Sequence, residues 1–490
     1  HIQTERIEKM LKAGYIVVVA GFQGIDEGGH WEITALGRGG SDTSAVALAA
    51  VLQADRCEIY TDVDGVFTTD PRLVSDAALL EAITSEEMLE LASLGAQVLH
   101  PRAVEIARNY AVPLVVRSSW SEAAGTVVLS PPLSIPRVID KLETDRPVDA
   151  VLVDSNQARI ALLRVPDRPG VAAVLFGHLA RLNIDVDLIL QSIHHSSYNL
   201  DAPAHGRTND IAFTVPRADL EAARRATEAA AEELGCRASS EIVVDPAPAK
   251  VSIRGAGIIG RPGIAAQMFA ALAQAGVNIQ MISTSEIKIS CLVAGEQAMA
   301  AAQSLCKHFG LTAPIYEELP VFSTQPMAVR GVALDRNQAQ LAILQVPDRP
   351  GVAAQIFQRL ASQGIAVDMI VQSQRGRTTN DIGFTVSRTQ ANSARLALEP
   401  LCQVMGCPEI IVDTTVAKLS LVGAGIVGTP GIAACMFETL ARTGANIEMI
   451  STSEIKVSCI IGEIHGEKAL RDVHCAFGLG SGVKVLVEGE

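Results

Sequence analysis

The sequence predicts an α/β protein in two parts. A mostly parallel sheet with covering helices occupies residues 1–130, and four α+β, ferredoxin-like βαββαβ units follow from residue 147. Three observations predict this. Short apolar runs alternate with helical patterns through the first region. Val-Pro-Asp-Arg-Pro-Gly-Val-Ala-Ala occurs at 165–173 and again at 346–354. Asn-Ile-x-Met-Ile-Ser-Thr-Ser-Glu-Ile-Lys occurs at 278–288 and again at 446–456.

In chain order, a helix runs to Leu11 and an apolar strand spans Ile16 to Ala20. Leu36-Gly-Arg-Gly-Gly-Ser-Asp42 then opens into a helix of small apolar residues, Thr43 to Leu52. Its glycines let the backbone aim successive N–H groups at one point, and the helix start adds unsatisfied donors and the positive end of its dipole. An anion is the expected guest. Arg38 supplies a cationic fork, Ser41 a hydroxyl and Asp42 an N-cap candidate. No Lys-Ser/Thr ending follows, so the turn is not a Walker A loop.

Cys57 to Tyr60 forms a short strand ending in Thr61, Asp62 and Asp64, where the ligand crevice of an open α/β sheet lies. Asp70-Pro-Arg72 is a rigid turn that presents a guanidinium. Thr84-Ser-Glu-Glu87 is a capping box for a helix carrying Met88, Leu91 and Leu94. A second helical segment runs from His100-Pro101 to Asn109, and Val112 to Arg117 returns as a strand. His100 has no partner acid nearby in sequence, so a structural role outweighs a catalytic base.

A length of 490 residues fits roughly three domains, and 48% hydrophobic with 19% charged residues reads as globular. The net charge of −14 argues against a nucleic-acid or anionic-membrane partner. No apolar run is long enough to span a bilayer. Nine cysteines without a C-x-x-C pair fit reduced thiols in a cytoplasmic protein, with no metal site.

Residues 131–146 read as a linker between the first region and a first pair of units at 147–320. A second pair occupies 321–490. Within the first unit, Ile160 to Leu163 is a strand, Asp167 to Gly170 a turn and Val171 to Leu182 a helix. Val186 to Gln191 and Asn209 to Val215 are strands, and Leu220 to Leu234 a second helix. Asp before Pro-Gly at a helix start suits an amino-acid ligand. The helix N–H groups take its carboxylate and the aspartate its ammonium. A rival reading starts from G-x-G-x-x-G at Gly255–Gly260 and Gly423–Gly428, with Glu448 about 20 residues on. Pro262 and Pro430, two residues past the third glycine, and Gln280 at the acidic position of the first copy, argue against a dinucleotide site.

Leu-Gly-Arg-Gly-Gly-Ser-Asp, Thr-Asp-Val-Asp-Gly-Val-Phe-Thr-Thr-Asp-Pro-Arg and Gly-Ala-Gln-Val-Leu-His-Pro, in this order and spacing, resemble aspartate kinases of the amino acid kinase superfamily. The repeated units resemble ACT domains. The resemblance implies an amino acid kinase-like three-layer, mostly parallel sheet, here its C-terminal portion, followed by four ACT units. It implies phosphoryl transfer from ATP, with Mg2+, to the β-carboxylate of L-aspartate, with feedback by lysine, threonine or both. By the same resemblance Arg38, Gly39, Gly40, Ser41 and Asp42 hold substrate and transferring phosphate. Thr61, Asp62, Phe67, Thr68, Asp70, Arg72 and Gln97 contact the nucleotide. Effector contacts in the first pair would be Asp167, Gly170, Ala172, Asp187, Gln191, Ile264, Asn278, Ile279, Ser285 and Glu286. The second pair repeats them as Asp348, Gly351, Ala353, Asp368, Gln372, Ile432, Asn446, Ile447, Ser453 and Glu454. A homodimer through the ACT units is implied as well.

Two departures accompany the resemblance. The family's N-terminal Lys-Phe-Gly-Gly-Thr-Ser motif is not in the chain, which implies that the whole protein begins earlier. Gln97 stands where many members carry lysine. A non-catalytic amino-acid sensor is the alternative, and which pair takes which effector stays open.

Overall fold

The computed structural model describes residues 2–25, 32–37, 39–94, 98–130, 147–194, 208–236, 242–258, 261–316, 328–374 and 379–481. The chain separates into two compact units, His1–Pro147 with Gly480–Glu490, and Val148–Leu479. Gly480 and Ser481 therefore pack with the first unit rather than with the second repeat pair, and the Ser481 N–H donates to the Asp76 carbonyl at 2.7 Å.

The first unit contains α1 (Glu5–Lys12), β1 (Gln23–Ile25), β2 (Ile33–Ala35), α2 (Gly40–Val51), β3 (Cys57–Thr61), β4 (Ala82–Thr84), α3 (Ser85–Ser93), α4 (Pro101–Tyr110), β5 (Leu114–Ser118) and β6 (Thr126–Leu129). Its main sheet has the order β3-β5-β6-β4. β3 runs parallel to β5 and β4 parallel to β6, while β5 and β6 are antiparallel, so the sheet is mixed. Val46, Leu89, Val104 and Val116 are fully buried in the core of this unit.

The capping box forms as the sequence predicts. Thr84 Oγ1 accepts from the Glu87 N–H at 3.2 Å, and the Glu87 carboxylate accepts from the Thr84 N–H at 3.0 Å. Such caps contribute about 1 kcal/mol. The strand expected at Ile16–Ala20 does not form. No strand among the described residues pairs with this segment, so Ile16 and Val18 stay more than 90% exposed.

The second unit holds the four ferredoxin-like modules, interleaved in sequence. β7 (Ala150–Asp154) comes first. Module 1 follows as β8 (Gln157–Pro166), α5 (Val171–Arg181), β9 (Ile189–His194), β10 (Thr208–Pro216), α6 (Leu220–Glu233) and β11 (Ile242–Asp245). Module 2 is β12 (Pro248–Arg254), α7 (Ile264–Gln274), β13 (Met281–Thr284), β14 (Lys288–Ala294), α8 (Ala298–Phe309) and the short β15 (Ile315–Tyr316).

The second half repeats this plan. β16 (Gly331–Asp335) precedes module 3, which is β17 (Gln338–Pro347), α9 (Val352–Ala361), β18 (Ile370–Gln374), β19 (Thr379–Ser387), α10 (Ala391–Met405) and β20 (Ile410–Asp413). Module 4 is β21 (Val416–Val422), α11 (Ile432–Thr443), β22 (Ile447–Ser453), β23 (Lys456–Gly462) and α12 (Gly466–Ala476).

A simple βαββαβ reading of every unit needs correction for modules 2 and 4. The strand beside β12 is β7, and the strand beside β21 is β16, both of which precede the neighbouring module in sequence. Modules 1 and 3 are thus inserted between the first strand and the remainder of modules 2 and 4.

The modules do not associate in sequence pairs. β9 of module 1 lies antiparallel to β22 of module 4, with Gln191 opposite Ile450, which joins the two into one eight-stranded sheet. Phe176 on α5 meets Phe437 on α11 edge-on at 5.3 Å between centroids. Modules 2 and 3 repeat the helix contact, with Phe269 on α7 and Phe357 on α9 at 5.4 Å, but their strands stay in separate five- and four-stranded sheets. Leu190, Met281, Val371 and Met449, one from each module, share a buried apolar cluster at the centre.

The Gly-rich stretch before α11 is built for close packing. A Cβ at Gly423 would lie 2.3 Å from the Ala328 carbonyl oxygen, and one at Gly425 would lie 2.6 Å from Ala328 Cα. These glycines admit a neighbouring backbone where a dinucleotide site would admit a pyrophosphate.

Candidate functional site

In the first unit, Gly39 has φ +71° and is the N-cap of α2, with no side-chain cap. Asp42 is therefore not the N-cap; its carboxylate accepts from the His100 N–H at 3.3 Å. The His100 ring packs on Gly39, where a Cβ would lie 2.2 Å from the ring. His100 Nδ1 accepts from the Arg102 N–H at 3.3 Å, capping α4. That position makes His100 a support for the glycine turn rather than a free base. Ser41 follows in the first turn of α2, its carbonyl accepting from Ser44 Oγ at 2.9 Å. Arg38 and Gln97 lie outside the described residues.

The carboxyl ends of parallel β3 and β5 bring Thr61 beside Ser118, and the Ser119 N–H donates to the Thr61 carbonyl at 2.8 Å. Thr61 Oγ1 donates to Asp62 at 3.0 Å. Phe67 pairs with Leu79, and the buried Thr68 is held through its backbone and hydroxyl to Ala78. Arg72 grips Asp70 with Nε at 3.0 Å and Nη2 at 2.8 Å. Burial opposes the Asp70 charge, but the hydrogen bonds and charge of Arg72 outweigh it and hold the carboxyl below its usual range.

In the second unit the expected effector residues gather into four cradles, each built across two modules. In the first, Asp167, Gly170, Ala172 and Gln191 of module 1 meet Asn446 and Ile447 of module 4. Asp167 Oδ1 accepts from Asn209 Nδ2 at 3.0 Å and from Asn446 Nδ2 at 2.7 Å, and Gln191 donates to the Ile447 carbonyl. The second cradle is its copy. Asp348, Gly351, Ala353 and Gln372 of module 3 face Asn278 and Ile279 of module 2. Asn278 Nδ2 reaches Asp348 at 2.9 Å, and Gln372 donates to the Ile279 carbonyl at 3.0 Å.

This regroups the sequence reading, which joined Asp167 to Asn278 and Asp348 to Asn446. The physical cause is the β9–β22 pairing: strands adjacent in space are not those of adjacent repeats.

The third cradle lies where the Thr429-Pro-Gly turn of module 4 faces Asp185 and Asp187 of module 1, with Ile432 and Ser453 in its wall. Asp185 accepts from the Gly428 N–H at 3.0 Å. Asp187 Oδ1 and Ser453 Oγ are buried there with no partner among the described residues. The fourth cradle is formed by Arg261, Pro262, Gly263 and Ile264 of module 2 against Ile365, Ala366 and Val367 of module 3. Ser285 does not offer its hydroxyl in the same way, since its Oγ accepts from the Lys288 N–H at 3.1 Å.

Behind these cradles runs a buried ionic network. Lys250 of module 2 pairs with Asp187 of module 1, Lys288 of module 2 with Glu454 of module 4, and Lys418 of module 4 with Asp368 of module 3. Burial opposes the Glu454 and Asp368 charges, but Lys288 with Lys250 and Lys418 with Lys456 outweigh it and hold both carboxyls low. Glu286 belongs to the same region and has an interacting partner.

Sequence reasoning passed over Asn209, Asn380, Asp185 and the buried lysines. The repeated Asn-Asp-Ile at 209–211 and 380–382 marks the first two. A lysine inside an otherwise apolar strand, as at Lys250 and Lys418, marks the last.

Comparison with known proteins places these features. The profile of the Amino acid kinase family matches residues 1–118, and that of the ACT domain matches 251–309, 344–400 and 419–477. An aspartate kinase of Pseudomonas fluorescens is 47% identical over 315 residues, 64% of this chain and 70% of the relative. The aspartate kinase Ask_LysC of Stutzerimonas stutzeri is 46% identical over the same length, 64% of this chain and 71% of its own. The crystal structure of aspartate kinase from Synechocystis superposes with a TM-score of 0.85 at 52% identity, covering 99% of this chain and 81% of that one.

Proposed function

The chain belongs to the aspartate kinase family, and from that premise we propose that it transfers the γ-phosphoryl group of ATP to the β-carboxylate of L-aspartate under feedback by lysine and threonine. A carboxylate oxygen attacks the γ-phosphorus, the bond to the β-phosphate oxygen breaks, and ADP and 4-phospho-L-aspartate leave. Such transfer needs positioning and charge neutralisation more than covalent help from the protein.

Gly39 and Ser41 at the start of α2 supply N–H donors for substrate and transferring phosphate, while Gly40 holds the turn through its N–H to the Gly37 carbonyl at 3.0 Å, with Arg38 as the cation and Asp42 fixing the turn through His100. Thr61 and Asp62 at the carboxyl end of β3, with Phe67, Thr68, Asp70 and Arg72, form the nucleotide side, and Gln97 joins them. Mg2+ suits such a site as a companion of the nucleotide, held mostly by phosphate oxygens and water. Asp62, exposed at the strand end, offers a carboxylate for it, and the described residues contain no cluster of three or more protein ligands.

The observation that carries the regulatory reading is the repetition of one polar cradle at Asp167–Asn446 and Asp348–Asn278. Each joins an aspartate, a Pro-Gly helix start and an amide from the facing module, the groups that an α-amino acid requires. Occupation stabilises one arrangement of the two modules, and differential affinity of this kind is what feedback needs. The small cradles suit threonine; Asp185 and Asp187 make the third suited to lysine.

The assembly we propose is a homodimer. It would use surfaces other than the edges of β9 and β22, which pair within the chain. Nine free cysteines and the lack of a helix long and apolar enough to cross a membrane, among the described residues, support a cytoplasmic placement. Family membership favours the kinase over a non-catalytic sensor.

Hydroxylamine trapping of aspartyl phosphate tests the proposal. Product should depend on ATP and aspartate and fall with lysine or threonine, and Gln191→Ala and Gln372→Ala should blunt the inhibition. Unchanged dose–response curves in both variants would remove these cradles as the effector sites.

A further inference from the structure

The loop that carries Phe67, Thr68, Asp70 and Arg72 is held as an antiparallel ribbon. Phe67 pairs with Leu79, the Thr68 N–H donates to the Ala78 carbonyl at 2.9 Å, and the Leu80 N–H donates to the Val66 carbonyl at 2.8 Å. Between the two arms the Val74 N–H donates to the Asp70 carbonyl at 3.0 Å and the Ala77 N–H to the Val74 carbonyl at 3.1 Å. Ala77, fully buried, thus closes the turn that presents Arg72. A third arm joins from far along the sequence. Gly480 pairs antiparallel with Ala77, and the Ser481 N–H donates to the Asp76 carbonyl at 2.7 Å across 405 positions. Gly480 passes close to the Asp76 carboxylate, where a Cβ would lie 2.6 Å from Oδ2.

This third arm is the segment that leaves module 4. α12 ends at Ala476, and the buried Leu479 donates its N–H to the His474 carbonyl at 3.2 Å. Gly480 is the next residue. Consecutive Cα atoms lie about 3.8 Å apart, so no slack chain separates the end of module 4 from the ribbon. The matching stretch of module 2 does otherwise, returning after α8 as β15 beside β7.

We infer that Gly480 and Ser481 are positioning residues for the nucleotide. They strap the Phe67–Arg72 loop in place, and the strap passes a change in module 4 to that loop. The inference rests on the nucleotide and effector readings above and deepens them. Module 4 supplies Asn446 and Ile447 to the first cradle and the Thr429-Pro-Gly turn to the third. An effector that favours one placement of this module therefore acts on the strap, through the difference in its affinity for the two placements.

Initial rates and titration calorimetry on the full chain test this. Ser481→Pro removes the donor, and Gly480→Asp sets a second carboxylate against Asp76. Both positions are exposed, and melting curves check that the variants are folded. The expected result is a rise of roughly fivefold in KM for ATP, the scale of one net hydrogen bond, with KM for aspartate unchanged. L-lysine and L-threonine should bind both variants with wild-type affinity but inhibit them less. Ser481→Ala keeps the N–H and should match the wild type. Wild-type KM for ATP with wild-type inhibition in both folded variants would overturn the strap, as would equal rises in the two KM values. Failure of lysine and threonine to bind the wild type would instead overturn the effector reading, and absence of aspartyl phosphate the kinase reading.

Discussion

Asn446 donates its side-chain amide to Asp167 at 2.7 Å although 279 positions separate the two residues. The bond joins the last module to the first. Its counterpart, Asn278 to Asp348 at 2.9 Å, joins the middle two. One chain thus closes on itself as two nested pairs of modules, and each effector cradle belongs to a pair that sequence order does not reveal.

The turn that opens α2 should tolerate no side chain. Gly39→Ala places a methyl 2.2 Å from the His100 ring at φ +71°. The expected cost is about 1–3 kcal/mol of stability, with aspartyl phosphate formation falling further because the N–H cradle shifts. Thermal melting and product trapping on the same preparation check it, and wild-type activity in the variant would contradict the assignment.

Arg72 should act on the nucleotide alone. Arg72→Ala removes a largely exposed guanidinium that grips Asp70. The expected effect is a rise of roughly tenfold in KM for ATP, the scale of one lost charge contact, with KM for aspartate unchanged. Initial rates at varied concentrations of each substrate separate the two.

Much of this architecture is legible in the sequence. The capping box at Thr84, the Pro-Gly turns and the repeated blocks place helices and strands close to where they lie, because these signals are local. The interleaving is not legible. β7 and β16 are apolar strands like any other, and only long-range pairing shows that they complete modules 2 and 4. Likewise the Ile16–Ala20 run is apolar enough for a strand, but a strand also needs a neighbour. Asp167 stands out as a ligand group through its Pro-Gly turn and Gln191 through the family resemblance, whereas the identity of the facing asparagine depends on β9 meeting β22.

The buried lysines should be costly to remove singly. Lys250→Met leaves Asp187 buried without its cation, with an expected loss of about 3–5 kcal/mol. Adding Asp187→Leu should recover most of it, since the pair is replaced by apolar groups. Denaturant titration of both variants measures the difference.

Lysine binding should weaken in acid at a higher pH than an ordinary aspartate would dictate. Burial raises the Asp185 pKa above the ordinary aspartate range; the Gly428 N–H opposes the rise, while the charges of Asp187 and Asp219 add to it. The ionised carboxylate attracts the ligand cation, so affinity is full above this raised pKa and is lost as the pH falls through it. Calorimetry across the acidic range should show the step in the wild type and lose it in Asp185→Asn.

The nested pairing itself is tested most directly by a double-mutant cycle on threonine inhibition. Asp167→Ala with Asn446→Ala should be non-additive by roughly 0.5–3 kcal/mol, as residues in contact are, while Asp167→Ala with Asn278→Ala should be additive. Coupling of Asp167 to Asn278, with none to Asn446, would contradict it.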